Sequence, residues 1–323
     1  MATNPQAVIV GLRFGQSQDC PGCDIDVRNV NEILTGLGYR ITRLENSRAR
    51  KSDVLGALEN AAATAVAGDI VVFFFAGHGG QRTDTNGDES DGKDETLVAY
   101  DAPIIDDELG SLWLKFRTGV RIVMISDSCN SGTNERALPR GLGLSDYEPA
   151  SRPIRFESLA SARADGAPVM KAQLIHIGGC QDARSSFGST QGGNFTTALF
   201  QIFNRSGGFT ASYEEFFKKI RARVAELTPP GEPMQWSNFT TYGPVAREFL
   251  DQRPFQVAPP ASDSPAPSAP ASAPAPEPTP STPSTGSSDL WDEINKLKQS
   301  MARIEGTIAR GKSRSPRKKK SQS

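Results

Sequence analysis

Two histidines occur in the chain, and one of them, His78, closes the run Asp69-Ile-Val-Val-Phe-Phe-Phe-Ala-Gly-His-Gly-Gly80. Fifty-one residues further on, a second apolar run, Val120-Arg-Ile-Val-Met-Ile-Ser-Asp-Ser-Cys129, closes on a cysteine followed by Asn130, Ser131 and Gly132. A cysteine and a histidine brought together make a nucleophile and its base. The thiolate attacks a carbonyl carbon where the neutral thiol does not, and a neighbouring imidazole lowers the thiol pKa or takes its proton. The oxyanion that forms needs backbone N–H donors. Gly77, Gly79 and Gly80 around His78 let backbone approach a substrate closely. A buried cysteine alone is usually inert core. Two such residues, each at the end of an apolar run and each followed by small residues, carry more than either does singly. His176 sits between Leu174-Ile175 and Ile177 and reads as core.

The elements that must deliver these residues are legible in the periodicity. Ala7 to Leu12 reads as a buried strand. Asp24 to Leu37 carries Val27, Val30, Ile33, Leu34 and Leu37 at helical spacing and stops at Gly38. Tyr39 to Leu44 is a second strand, Lys51 to Val66 an Ala-rich helix, Asp69 to Ala76 the third strand and Val120 to Ser126 the fourth. Gln173 to Gly178 is a fifth strand, and Asn194 to Phe203 and Ser212 to Leu227 are helices. This alternation predicts an α/β fold with a mainly parallel sheet and helices on both faces. Such a sheet builds its site at the C-terminal ends of its strands. Arg82 to Asp107 reads as an acidic loop, and Thr133 to Lys171 as a long charged insertion.

The two blocks Phe-Phe-Ala-Gly-His-Gly-Gly and Ile-Ser-Asp-Ser-Cys-Asn-Ser-Gly resemble the catalytic blocks of the metacaspases, the caspase-like cysteine peptidases of bacteria, plants, fungi and protists. Further matches follow in order: Gly22-Cys-Asp-Ile-Asp-Val-Arg-Asn29, the acidic Asp88 to Val98, Ile105-Asp-Asp-Glu-Leu109 and Gly179-Cys-Gln-Asp182. The resemblance implies a caspase-type three-layer α/β/α sandwich over residues 5–250, of the bacterial metacaspase type. It implies a His78–Cys129 dyad acting as a cysteine endopeptidase that cleaves protein substrates after Arg or Lys. It also implies a substrate pocket lined by Asp26, Asp127 and Cys23. Cleavage after a basic residue needs carboxylates, because that side chain enters charged. As bland alternatives, Asp127 would cap a turn and Asp26 would be an ordinary carboxylate at a helix N-terminus. The family often has a small hydroxyl residue just before Gly-His; here it is Ala76. Cys20-Pro-Gly-Cys23 also suggests zinc or redox chemistry. It stands alone, however, without the second ligand pair of a closed zinc site or the rest of a thioredoxin pattern.

Between Asp84 and Glu95 lie six carboxylates opposed by Lys93 alone, a density that repels itself unless solvated or bound to a hard cation. EF-hand spacing fails at its sixth position, where Glu89 replaces the required glycine. The resemblance implies calcium as cofactor, held by carboxylates of this loop and of the Asp-Asp-Glu block, with Asp94, Asp106 and Asp107 as the ligands. A further acidic ligand is usual after the nucleophile; the count here lands near Glu135 and Arg136. The alternative is an exposed loop that serves solubility. Arg136, Arg140, Arg152, Arg155, Arg163 and Lys171 give a peptidase of this specificity places to cut itself.

Composition divides the rest. The net charge of −1 excludes a global field for nucleic acid or membrane. Four cysteines without a paired framework indicate a reducing compartment. No apolar run approaches a membrane span, and the apolar stretch at Ala7 to Leu12 is too short for a signal segment, so a cytoplasmic location is expected. Residues 251–288 read as a Pro/Ala/Ser-rich linker. Residues 289–310 place Leu290, Ile294, Leu297, Met301, Ile304 and Ile308 on one heptad seam, suited to self-association or a partner helix. Residues 311–323 form a basic tail, with six positive charges across 312–320 that attract polyanions, nucleic acid or anionic lipid. Two rival readings follow: a non-catalytic caspase-like scaffold signalling through its tail, and a nucleic-acid-binding protein in which the tail is primary.

Overall fold

The structure, a computed structural model, describes residues 3–13, 20, 22–84, 92–129, 148–149, 154, 156, 159, 168–181, 188–189, 192–205, 208–231 and 236–258. The heptad segment 289–310 and the basic tail 311–323 lie outside these residues, as do most of the linker and most of the insertion after Cys129.

In chain order the elements are β1 (Gln6–Gly11), α1 (Cys23–Gly36), β2 (Arg40–Glu45), α2 (Lys51–Thr64), β3 (Ile70–Thr83), β4 (Lys93–Val98), β5 (Pro103–Ile105), α3 (Asp106–Trp113) and β6 (Arg121–Cys129). They continue with β7 (Glu148–Pro149), β8 (Gln173–Gln181), β9 (Gly188–Ser189), β10 (Gly192–Gly193), α4 (Asn194–Phe203), α5 (Tyr213–Leu227), β11 (Trp236–Tyr242) and α6 (Arg247–Asp251). The main sheet runs β11-β8-β6-β3-β1-β2, parallel throughout except for β11, which is antiparallel to β8. The chain leaves β1 toward β2 on one side and returns to β3 on the other, so the order reverses between β1 and β3. Sites form at such a switch point, outside the carboxyl ends of the strands.

Alternation along the strands splits the core in two. Ile9, Phe74, Ile125 and Ile177 face α1, α4 and α5, while Val10, Phe73, Met124 and Leu174 face α2 and α3. This is the three-layer α/β/α sandwich that the resemblance implies. Strands buried on both faces read as unbroken apolar runs, which is why they stand out in the sequence. Helix α1 buries Val27, Val30, Ile33 and Leu34, and its C-terminal carbonyls are taken by the amides of Leu37, Gly38 and Tyr39. Gly38 supplies the left-handed conformation there, with φ 82°.

Several strands run past their expected ends. The third continues from Ala76 through His78 to Thr83, because beyond Gly79 it finds new antiparallel partners: β4, from Gly79↔Leu97 to Thr83↔Lys93, and β7, at Gly80↔Pro149 and Gln81↔Glu148. The region Arg82–Asp107, expected to be a loop, therefore contains the hairpin β4–β5 and the start of α3. Within the long insertion, Ile154 and Phe156 are buried against the α2/α3 face of the core, with Phe156 5.3 Å from Tyr242 ring to ring.

The C-terminal end of the packed domain also differs from composition. Residues 252–258, which the composition assigns to the linker, strap the opposite end of the sheet. Phe255 is buried against Phe203, Tyr213 and Phe216. Its N–H donates to Tyr213 Oη at 2.8 Å, and its carbonyl accepts from Tyr39 Oη at 3.0 Å. Buried Arg121, at the start of β6, donates to Gln252 Oε1 and to the carbonyls of Gln256, Val257, Ala258 and Gly68 at 2.8–3.3 Å. A fixed guanidinium fork suits such a convergence of carbonyls. Among the described residues no helix is long and apolar enough to cross a membrane.

Candidate active site

His78 and Cys129 are register partners on the adjacent parallel strands β3 and β6. Neighbouring strands lie about 4.8 Å apart, so the sheet itself sets the spacing of the two positions. His78 is buried, 3% exposed. The side chain of Cys129 and the residues just after it lie outside the described part of the structure. Gly77 is needed at its place for packing: a Cβ there would stand 3.1 Å from the Phe75 ring.

The expected pocket carboxylates come together. Asp127, two residues before Cys129, is in register with Ala76 of β3 and Gly179 of β8. Asp26 projects from the first turn of α1. Both meet the N-terminus of α4. Asp26 Oδ1 and Oδ2 accept from the Gly193 amide at 3.0 and 3.1 Å. Asp127 Oδ2 accepts from the Thr196 amide at 3.1 Å and from Thr196 Oγ1 at 2.7 Å. Asp127 thus does for α4 what an N-cap side chain does, from another element. Its other oxygen, Oδ1, is buried with no hydrogen-bond partner among the described residues.

The two carboxylates flank Gly193 closely. A Cβ on Gly193 would lie 2.5 Å from Asp127 Oδ2 and 3.3 Å from Asp26 Oδ2, and one on Gly192 would lie 2.7 Å from Asp26 Oδ1. Burial pushes the Asp26 carboxyl well above the usual range, and the nearby Asp127 pushes it further; the Gly193 amide pulls it back in part. Burial also raises Asp127, against which the two Thr196 donors act. A site that raises the proton affinity of two adjacent acids is one that a cation would relieve.

Cys23, the third expected pocket residue, opens α1 but does not present a free thiol: it is joined to Cys20 in a disulfide. This corrects the expectation that no cysteines pair. The cause is local, since Cys20 lies just before the first turn of α1 and the Cys23 amide bonds the Cys20 carbonyl at 3.3 Å.

The expected metal ligands lie beyond His78, on the β4–β5 side. Asp94 and Asp106 are buried and Asp107 is half-buried. Glu95, which the sequence reading did not single out, is buried beside them. Burial lifts the Asp106 carboxyl to about 8, with Glu95, Asp94 and Asp107 adding repulsion in that order. Arg82 Nε stands 3.8 Å from Asp94 Oδ2. Among the described residues no three side chains converge closely enough to hold a metal ion as they stand. The donor set itself, acidic oxygens on adjoining elements with Asp106 Oδ2 lacking a hydrogen-bond partner among the described residues, suits a hard cation.

His176 is fully buried, with Nε2 3.0 Å from Ser126 Oγ, and burial lowers its pKa to about 3. It is core, as its flanks indicate. Thr196 and the pair Gly192-Gly193 belong to the site and were missed. The available signal was two glycines directly before a helix start, where backbone or a carboxylate approaches closely.

An α/β/α sandwich with a cysteine and a histidine in register on adjacent parallel strands, at the carboxyl end of their shared ladder, fits the class of cysteine-dependent hydrolases. Residues 5–245 match the caspase domain model of the C14 peptidases, and the chain belongs to that family of cysteine peptidases. It is similar to a metacaspase-1 of Mycosarcoma maydis, 28% identical over 271 residues, covering 68% of this chain and 67% of the relative. A metacaspase-1 of Saccharomyces cerevisiae is 33% identical over 144 residues, 40% of this chain and 33% of that protein. This match spans only about a third of the yeast protein. A crystal structure of a protein from Geobacter sulfurreducens superposes with a TM-score of 0.61 at 32% identity, over 79% of this chain and 99% of that one.

Proposed function

We propose that the chain is an endopeptidase that cleaves after Arg or Lys by a Cys129–His78 dyad and is stimulated by calcium. The carrying observation is the buried pair Asp26 and Asp127, with Asp127 Oδ1 lacking a partner among the described residues, two residues before the nucleophile. A guanidinium or ammonium entering there would find carboxylate acceptors and little competing water.

In the reaction, Cys129 gives its proton to His78 and the thiolate sulfur bonds to the scissile carbonyl carbon. His78 returns the proton to the departing amine as the C–N bond breaks, leaving a thioester. Water then gives a proton to His78 and attacks the thioester carbonyl, and the proton passes back to the sulfur as the C–S bond breaks. Asp94, Asp106 and Asp107, with Glu95 beside them, would hold calcium. Bound there, the ion supplies positive charge that offsets their mutual repulsion. Cleavage of a fluorogenic peptide with Arg at the cleavage position, with and without calcium, tests the reading beside Cys129→Ala, His78→Ala and an Asp peptide. Calcium-raised hydrolysis of the Arg peptide alone, lost in both variants, is the expected result. Equal cleavage of the Asp peptide, or activity surviving in Cys129→Ala, would overturn it.

A further inference from the structure

Asp127 holds its two oxygens in unlike surroundings. Oδ2 takes both donors of one residue, the amide and hydroxyl of Thr196 at 3.1 and 2.7 Å. Oδ1 is buried and takes none from the described residues. Thr196 is itself fully buried, the third residue of α4, and its hydroxyl donates to Asp127 Oδ2. An amide alone would cap the helix as well as it does at other helix starts. The added hydroxyl does something further: it fixes the carboxylate's rotation, so that the same oxygen always faces α4 and the other is left for a ligand.

We propose that Thr196 is a positioning residue for recognition of the basic side chain: by holding Oδ2 of Asp127 with two donors, it reserves Oδ1 for the charged group of the substrate. The proposal rests on the reading of Asp26 and Asp127 as the basic-residue pocket. Its consequence is a pH dependence. Among the described residues the charged and titratable groups facing Asp127 are Asp26 and, behind it, Asp24 on α1, and His78 on the same face of β3 as the register partner Ala76, while Cys129 follows two positions along β6. The facing residues of α4 and β8, Gly193, Thr196 and Gly179, carry no charge. No Lys or Arg is among these described residues, so the donors of α4 hold the carboxylate form. Removing the hydroxyl lets Asp127 keep its proton to higher pH, and a protonated pocket accepts a cation poorly.

The test uses the full chain with calcium present. Steady-state hydrolysis of the Arg peptide is followed from pH 5.5 to 8.5 for wild type, Thr196→Val and Thr196→Ser, with Thr196→Ala as a second truncation should the valine variant not fold. Circular dichroism confirms the fold of each. In Thr196→Val, KM should rise about tenfold near neutral pH, the size of one hydrogen bond to a charged group, while kcat changes little. The acid limb of kcat/KM should move to higher pH, and Thr196→Ser should restore both. A valine variant with the wild-type KM and acid limb, or a loss confined to kcat, or a failure of serine to restore, overturns the proposal. Asp26→Asn and Asp127→Asn separate this from failure of the pocket itself. If both still cleave the Arg peptide as wild type does, the pocket reading falls and Thr196 with it. If both lose cleavage while Thr196→Val is unaffected, only the role of Thr196 falls.

Discussion

Ending the chain after Asp251 rather than after Ala258 should cost much of the domain's stability, although the seven residues removed stand at the opposite end of the sheet from His78 and Cys129. Four of the five acceptors of Arg121 lie in that strap: Gln252 Oε1 and the carbonyls of Gln256, Val257 and Ala258. Only Gly68 O would remain. Tyr39 and Tyr213 would each lose the partner of a buried hydroxyl, at about 1–3 kcal/mol apiece. Losing the fully buried Phe255 ring costs about 3–5 kcal/mol by the precedent of aromatic truncations. A buried charge stripped of its partners costs about 3–5 kcal/mol more. These terms overlap, since water enters the space that Phe255 leaves, so a total of about 5 kcal/mol or more is the sound expectation. That approaches the whole stability of a domain, about 5–15 kcal/mol. Urea unfolding followed by tryptophan fluorescence reads it directly. With a denaturant slope of about 2–3 kcal/mol per molar, the shorter chain should unfold about 2 M earlier or not fold at all. The chain ending at Ala258 should match the full chain, and Phe255→Ala in the full chain should fall between. Coincident midpoints for the two truncations would refute the reasoning.

Gly193→Ala should abolish cleavage of the Arg peptide while lowering stability, because its Cβ would drive Asp127 Oδ2 from 2.5 Å and break the capping contacts; an active, equally stable alanine variant would contradict the geometry. His176 has its pKa lowered to about 3 from 6.5 in the folded state. The unfolded chain therefore binds the proton first on acidification. The stability present above pH 6.5 drains away as pH falls toward 3, by about 5 kcal/mol in the limit. Thermal melting of wild type and His176→Asn across that window should show the shallower slope in the variant. Thiol titration of the denatured, unreduced protein should count two of the four cysteines, and all four after reduction. Equal counts would mean that Cys20 and Cys23 do not pair.

The strands that carry the site were readable because β1, β3, β6 and β8 are buried on both faces, and nothing interrupts their apolar residues. The edge strand β11 was not, since Ser237-Asn-Phe-Thr-Thr241 is half-exposed and its pairing with β8 is a backbone matter. The ends of β3 and β6 escaped for a related reason. Ala76-Gly-His-Gly-Gly80 has no propensity for a strand, and it is extended because partners lie on either side. Of the pocket, Asp26 and Asp127 were named from their motifs, whereas Thr196 was not. Its place depends on α4 docking its first turn between α1 and β6, a contact between elements far apart in sequence. Glu95 was not singled out from the acidic run, because spacing alone does not say which of those carboxylates the fold buries beside Asp106. The strap of 252–258 looked like linker because Pro, Gln and Ala are poor in apolar signal. A single aromatic, Phe255, anchors it.

His78 and Cys129 sit at the last of nine consecutive register pairs between β3 and β6, the central ladder of the sheet. To part the two residues would mean unzipping that ladder, among the last structure of a domain to open. The backbone spacing of positions 78 and 129 is therefore a property of the sheet, and any change that leaves the sheet folded leaves that spacing where it is.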